Sequence, residues 1–354
     1  MTLDPLAPLP FLTQPLPGIG GHIKEQPQDF EVEEVPAYEP SGEGSFLYLW
    51  VEKCDMGAEY FVRTLARRLD LPVGEIGTAG LKDRRALTRQ MVSVPESAEA
   101  HLSKIEGDGM RLLRVSRHTN KLRAGHLRGN RFNVLIRSPA ADAPEKIQPL
   151  VCALSRQGFP NFYGPQRFGK NGETAAVGLA LLRGERPASG RPSPFLRRLG
   201  VSAAQSLFFN HWLEKRMQDG LFERVLLGDV MTKLPFGGLF VVEDLATEQA
   251  RLERHEIVYT GPMFGRKLYA SAAVASERES AVLQEAGLET RHFFGFGKLL
   301  SGTRRAAIVY PDDLQAETIS EGVRLRFTLP SGSYATVLLR EIMKSSLLDG
   351  DEVA

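Results

Sequence analysis

Cysteine is nearly absent from this chain of 354 residues: it has two, Cys54 and Cys152, far apart and without a C-x-x-C or a His-rich companion. That excludes a disulfide framework, leaves no zinc-site spacing, and favours a reducing, cytoplasmic setting. Histidine is equally thin. His22, His118, His126 and His211 are scattered, no H-E-x-x-H pair occurs, and no G-x-S-x-G elbow is present. Nucleotide loops fail on inspection as well. GFGKLLSG has Leu299 after Lys298, with His292 where a phosphate loop needs its first glycine, and GIGGHI from Gly18 lacks both the third glycine and the preceding strand of a dinucleotide fingerprint. The opening MTLDPLAPLPFLTQPLPGIGG is broken by prolines, so neither a signal peptide nor a membrane anchor is expected. Charge of one sign is missing too: 44 Lys and Arg against 43 Asp and Glu leave +1. A polyanion would therefore be met by a local patch rather than by the field of the whole molecule.

What is present is an ordinary globular composition, 42% hydrophobic and 25% charged, long enough for two domains. The charges are segregated along the chain. From Glu25 to Glu59 acids are frequent and Lys53 is the one base, which predicts a solvated face on alternating strands such as FEVEEV, Phe30 to Val35. FLYLWVEK, Phe46 to Lys53, reads as a more buried strand. EYFVRTLARRLDL places Phe61, Leu65 and Leu69 on one helical stripe and Arg63, Arg67 and Arg68 away from it. GTAGLKDRRALTRQ follows, with Asp83 among Lys82, Arg84, Arg85 and Arg89. ALTRQMVSVP is strand-like, so Asp83 is expected in a connecting loop, either as counter-ion to its neighbours or as a carboxylate held charged where a polyanion arrives.

Arg111 to Arg137, RLLRVSRHTNKLRAGHLRGNRFNVLIR, contains no acid. NRFNVLIR alternates as a strand, with GHLRGN as the turn ahead of it. Cations beside an aromatic suit RNA phosphates and unstacked bases, which makes Arg128 and Arg131 candidate backbone contacts; a solvated basic face with a core Phe132 is the plain alternative. A helix near Glu145 to Gln157 leads to GFPNFYGPQRFGKNGE, too rich in Gly and Pro for a regular element. From about Lys170 to Arg304 the texture changes: a Pro-rich connector, a helix through SAAQSLFFNHWLEKRM, then strand-like GGLFVVED and HEIVYTGPMFG. GVRLRFTLPSGSYATVLLREIMK closes with a strand and an amphipathic helix that turns Val337, Leu338 and Ile342 inward.

GTAGLKDRRALTRQ, NKLRAGHLRGNRF, GFPNFYGPQRFG, TGPMFG, GTRR and LPSGSYATVLLRE, in this order across nearly the whole chain, resemble the TruD-type tRNA pseudouridine synthases. The resemblance implies an α+β fold: a pseudouridine-synthase core of mostly antiparallel sheet with helices, residues 1–168 plus 304–354, and an inserted α/β domain, 169–303, with RNA in the cleft between. It implies Asp83 as catalytic residue, with Lys82 beside it. Lys24 and Phe30 of KEQPQDF, and Asn130 and Phe132 of GNRF, match the family's substrate-site residues. Tyr334 stands where several relatives carry Phe, keeping the aromatic face and adding a hydroxyl. The implied reaction flips a uridine of tRNA, usually uridine 13, breaks the glycosidic bond and rejoins uracil through C5, with no cofactor and no metal, in a cytoplasmic monomer. Two rivals stand beside it: a non-catalytic RNA-binding or RNA-chaperone protein, and another RNA enzyme such as a methyltransferase, which the missing glycine fingerprint leaves without a cofactor site.

Overall fold

The computed structural model describes residues 3–235 and 237–345; residues 346–354, the end of the expected catalytic segment, lie outside them. Its strands are β1 (Phe30–Pro36), β2 (Phe46–Cys54), β3 (Gly77–Thr78), β4 (Leu87–Pro95), β5 (Met110–His118), β6 (Leu127–Arg137), β7 (Phe159–Pro160), β8 (Val230–Lys233), β9 (Leu239–Val241), β10 (Ile257–Met263), β11 (Thr303–Ala306), β12 (Ile308–Val309), β13 (Asp312–Ile319) and β14 (Gly322–Pro330). The helices are α1 (Ala58–Leu69), α2 (Ala143–Gln157), α3 (Glu173–Leu182), α4 (Pro194–Gln218), α5 (Leu245–Glu253), α6 (Ala273–Glu285) and α7 (Ala335–Met343). The fold is α+β.

An eight-stranded sheet runs β13-β14-β6-β1-β4-β2-β5, with β3 on β4. Both ends of the chain build it. Every pairing is antiparallel except that of β1 with β4. A four-stranded sheet, β11-β10-β8-β9, lies in the middle of the chain, and the short β7 and β12 pair between the two.

Strand pairing puts directly opposed side chains on one face, and here one face is covered by helices. Against β2 and β4, α1 packs Phe61, Leu65 and Leu69 onto Leu47, Leu49, Val51, Val92 and Val94. Nearer the other edge, α2 and α7 share a core with Val134, Ile136, Leu325 and Phe327. The expected stripes of α1 and α7 are buried as predicted: Val337, Leu338 and Ile342 lie in that same core.

Two expectations change. β6 already begins at Leu127, so LRGN is strand and not turn. Gly129 is there because a Cβ at that position would meet the Leu329 carbonyl oxygen of β14 at 2.1 Å. The acidic stretch, in turn, does not form a purely solvated face, because Glu34 shares the inward side of β1 with Phe30 and Val32 and is buried.

The acid-free basic run is partly paired with acids from elsewhere in the fold. Arg111 lies 3.6 Å from Glu52, Arg114 3.9 Å from Glu39, Arg117 2.7 Å from both Glu96 and Glu99, and Arg131 2.9 Å from Glu33. Charges segregated in the sequence are thus brought back together by the sheet.

Candidate active site

The parallel pairing of β1 with β4 decides where the site forms. Glu31 pairs with Leu87 and Val32 with Thr88, so the segments that enter the two strands emerge at the same end of the sheet. One is KEQPQD, the other LKDRRA. The first is fixed by Asp29, which ends a short 3-10 turn at Pro27–Asp29, accepts from the Gln26 amide at 2.9 Å, and forms a two-pronged pair with Arg137 of β6 at 2.7 and 2.8 Å. Burial pushes the Asp29 carboxyl up, but the Arg137 guanidinium and the Gln26 amide outweigh it and hold it below the usual carboxylate range. Lys24, just ahead, takes a left-handed φ of +60°, a backbone state that a non-glycine residue rarely holds outside constrained sites.

From there the buried Lys24 ammonium reaches Asp83. Lys24 Nζ stands 3.7 Å from Asp83 Oδ1 and 4.5 Å from the centre of the Phe30 ring, while the Asp83 side chain is 50% exposed. The separation is longer than a hydrogen bond, so the attraction leaves the carboxylate oxygens open to a third party.

The four cations flanking Asp83 in sequence are not its surround. Lys82 points inward and donates to Glu34 Oε2 at 2.6 Å, both side chains almost fully buried. Arg89 is taken by Glu52 at 2.9 Å, with Glu31 at 3.4 Å and Glu33 at 3.9 Å. Arg84 and Arg85 are exposed. The cause is the outward turn of Asp83 beside an inward Lys82: sequence adjacency set the expected cluster, whereas the loop conformation selects Lys24.

Under this loop the helix-covered face carries polar groups among its apolar ones. Glu34, Lys53, Thr88, Gln90 and Asn130 are all on it, by the registers Asn130–Glu34, Phe132–Val32–Thr88–Lys53 and Gln90–Val51. Asn130 Oδ1 is buried with no hydrogen-bond partner in the protein, which is rare for a buried amide. Phe132 is 6% exposed, stacked on Phe327 with ring centres 5.1 Å apart and edge-on to Phe30 at 6.0 Å. One of its faces is therefore occupied by protein, and it forms the wall between Phe30 and Phe327.

Tyr334 sits at the N-terminus of α7, exposed, with its ring centre 5.9 Å from that of Tyr163. Arg305, from β11 of the second sheet, packs over the Tyr163 ring: its guanidinium is 4.0 Å from the Tyr163 centre and 5.8 Å from that of Tyr334, and it donates to Asn161 Oδ1 at 2.6 Å. Arg305 was not singled out from sequence; the GTRR motif was its signal. Arg131 is paired to Glu33, and Arg128 is exposed at the start of β6. Glu34 and Lys53 were missed as well, Glu34 because its strand reads as a solvated face and Lys53 because nothing in its strand marks the last lysine as a buried group.

A mainly antiparallel sheet packed with helices, with one half-exposed aspartate 3.7 Å from a buried lysine where two strand-entry segments converge, makes a site with a single carboxylate. Among the described residues no group of three or more His, Cys, Asp or Glu is placed to hold a metal ion. The family described as tRNA pseudouridine synthase D (TruD) matches residues 9–190 and 186–342. The chain is 47% identical over 340 residues to the tRNA pseudouridine synthase D of Anaeromyxobacter dehalogenans (strain 2CP-C), covering 95% of this chain and 97% of that one. It is 46% identical over 341 residues to a tRNA pseudouridine synthase D of Thermus thermophilus, covering 96% and 93%. A crystal structure from Methanosarcina mazei, described as a putative tRNA pseudouridine synthase D, superposes with a TM-score of 0.76 at 25% identity over 99% of this chain and 97% of that one. The chain belongs to the TruD family of tRNA pseudouridine synthases.

Proposed function

We propose that Asp83 is the carboxylate with which this family member turns a uridine of tRNA into pseudouridine. The observation that carries the reading is the meeting of Asp83 with Lys24 at 3.7 Å, at the one end of the sheet where two strand-entry loops converge. Uridine leaves its stack, and the C1′–N1 bond breaks as the Asp83 carboxylate attacks C1′ or takes the C2′ proton. Uracil then turns and C5 bonds to C1′ as the Asp83–C1′ bond breaks, or, in the second route, as the proton returns from Asp83 to C2′; the C5 proton departs and N1 regains one. Atoms balance without a co-reactant. Lys24 steadies the negative charge of Asp83, Asn130 Oδ1 accepts from the base, and Phe30 and Phe132 wall it, while Tyr334 offers an aromatic face from the opposite side and Lys82 fixes the loop through Glu34.

The same reading divides the chain into a catalytic part, 1–168 with 304–354, and an insertion, 169–303. The pairing of β11 with β10 supports a seam that runs along strand Thr303–Ala306. RNA would lie between the two parts, with Arg128 and Arg131 on phosphates. A monomer is the state that the sequence resemblance implies. A tRNA substrate and two free thiols fit the cytoplasm, and no helix among the described residues is long and apolar enough to cross a membrane. Uridine 13 is the target that the sequence resemblance implies.

The deciding assay is single-turnover tritium release from C5-labelled uridine in tRNA, run beside filter binding. Asp83→Asn, nearly isosteric, should bind tRNA as tightly as the wild type and release no tritium. A rate near the wild-type value would reject the catalytic role and favour an RNA-binding protein without chemistry.

A further inference from the structure

Lys53 is the one base of the acidic stretch and is 0% exposed at the end of β2. By register it belongs to the row Phe327–Phe132–Val32–Thr88–Lys53 on the helix-covered face. Its ammonium donates to two main-chain carbonyls, those of Met56 at 2.5 Å and Asp83 at 2.9 Å. A buried lysine that spends its hydrogens on carbonyls instead of a carboxylate gains little for stability from so costly a placement. One of those carbonyls belongs to the proposed catalytic residue.

We infer that Lys53 is a positioning residue for the reaction: it holds the Asp83 carbonyl from beneath, and so aims the Asp83 carboxylate outward toward Lys24 and the substrate. This rests on the reading of Asp83 as the catalytic carboxylate. The loop is then clamped twice from the core, by Lys82 on Glu34 ahead of Asp83 and by Lys53 on Asp83 itself. With both in place Asp83 has its main chain fixed and its side chain free, which is what a carboxylate that must reach one atom of a flipped nucleotide needs. A displacement of about 1 Å in such a group costs on the order of 10²-fold in rate.

The hold is charge-assisted and therefore depends on pH. Burial, opposed by the Asp83 charge, aided by that of Lys82 and opposed again by Cys54 and Asp55, lowers the Lys53 ammonium to about 8. Once neutral, the amine offers only ordinary hydrogen bonds, roughly half as strong as charge-assisted ones.

Single-turnover tritium release and tRNA binding are measured for wild type, Lys53→Met, Lys53→Gln and Asp83→Asn from pH 6.5 to 9.5 (about three pH units spanning that transition). The wild-type rate should fall severalfold around pH 8. Lys53→Met should be slower by about 10²-fold at pH 7, flat across the range, and unchanged in tRNA affinity; Lys53→Gln, which still donates, should lie between. A Met variant at the wild-type rate, or a slow one that keeps the alkaline fall, overturns the inference while Asp83→Asn remains inactive. If Asp83→Asn turns over, the reading of Asp83 fails and the inference with it. If neither Lys53 variant folds, the wild-type profile decides: a rate level from pH 7 to pH 9 overturns the role.

Discussion

Arg131 Nη1 lies 2.9 Å from Glu33 Oε1, across the antiparallel pair of β1 and β6, while Arg128, three residues earlier on β6, is exposed. The two arginines are neighbours in sequence but differ in how much charge they can offer to a phosphate. We predict that Arg128→Ala weakens tRNA binding and lowers the slope of log affinity against log salt by about 1. Arg131→Ala should lower it less, because Glu33 already offsets much of that charge. Filter binding at several salt concentrations separates them; slopes unchanged from the wild type would return both to plain surface charge.

The Lys82–Glu34 pair, 2.6 Å long and shielded from solvent, makes a stability prediction. Glu34→Leu strands a buried ammonium and the Met91 amide that Glu34 also serves at 3.3 Å, and should destabilise by about 3–5 kcal/mol. Replacing both partners, Lys82→Met with Glu34→Leu, should recover most of that loss. Urea unfolding measures each. A single variant within about 1 kcal/mol of wild type would mean that the pair does not hold the loop.

Phe132 has a double duty that substitution can split. Wedged between Phe30 and Phe327, it should cost about 3–5 kcal/mol as Phe132→Ala through the cavity left behind. Phe132→Leu should fold with a loss below about 1.5 kcal/mol but impair turnover more than tRNA binding, which phosphate contacts dominate. A Leu variant with full turnover assigns the ring to packing alone.

Much of this was legible in the sequence because local patterns carried it. The stripe Phe61, Leu65, Leu69 and the alternation of NRFNVLIR predict α1 and β6, and the glycines before Asp83 predict its loop. Pairings across strands were not legible. Nothing in KEQPQDF says that β1 runs parallel to β4, yet that pairing alone brings Lys24 to Asp83. For the same reason Glu34 read as solvated: alternation gives a face its period, but only the register reveals that Lys82 reaches back to it. The pairing of the basic run was not legible for the same reason, because its partner acids lie far away along the chain, on other elements of the fold.

Lys53 makes a last prediction, in which stability and activity move in opposite directions. In the unfolded chain the ammonium titrates near its ordinary value of 10.5, and in the fold near 8. Below pH 8 both states hold the proton, and the cost of burying the charge is fully present. Between 8 and 10.5 the unfolded chain binds a proton that the folded one has lost, so stability rises with pH by on the order of 3 kcal/mol at most. Above 10.5 the gain is complete, and it is lost again as pH falls back through 8. Lys53→Met has no such group, so the difference in unfolding free energy between wild type and Lys53→Met should climb through this window, with groups common to both cancelling. Urea unfolding at pH 7, 8.5 and 10 (about the span of the shift) measures the climb. A parallel pair of curves would place the lysine in ordinary solvent-like surroundings. A climbing difference, together with a falling turnover rate, shows that loss of the Lys53 proton does not itself unfold the protein, because the deprotonation that slows the enzyme is the one that stabilises its fold.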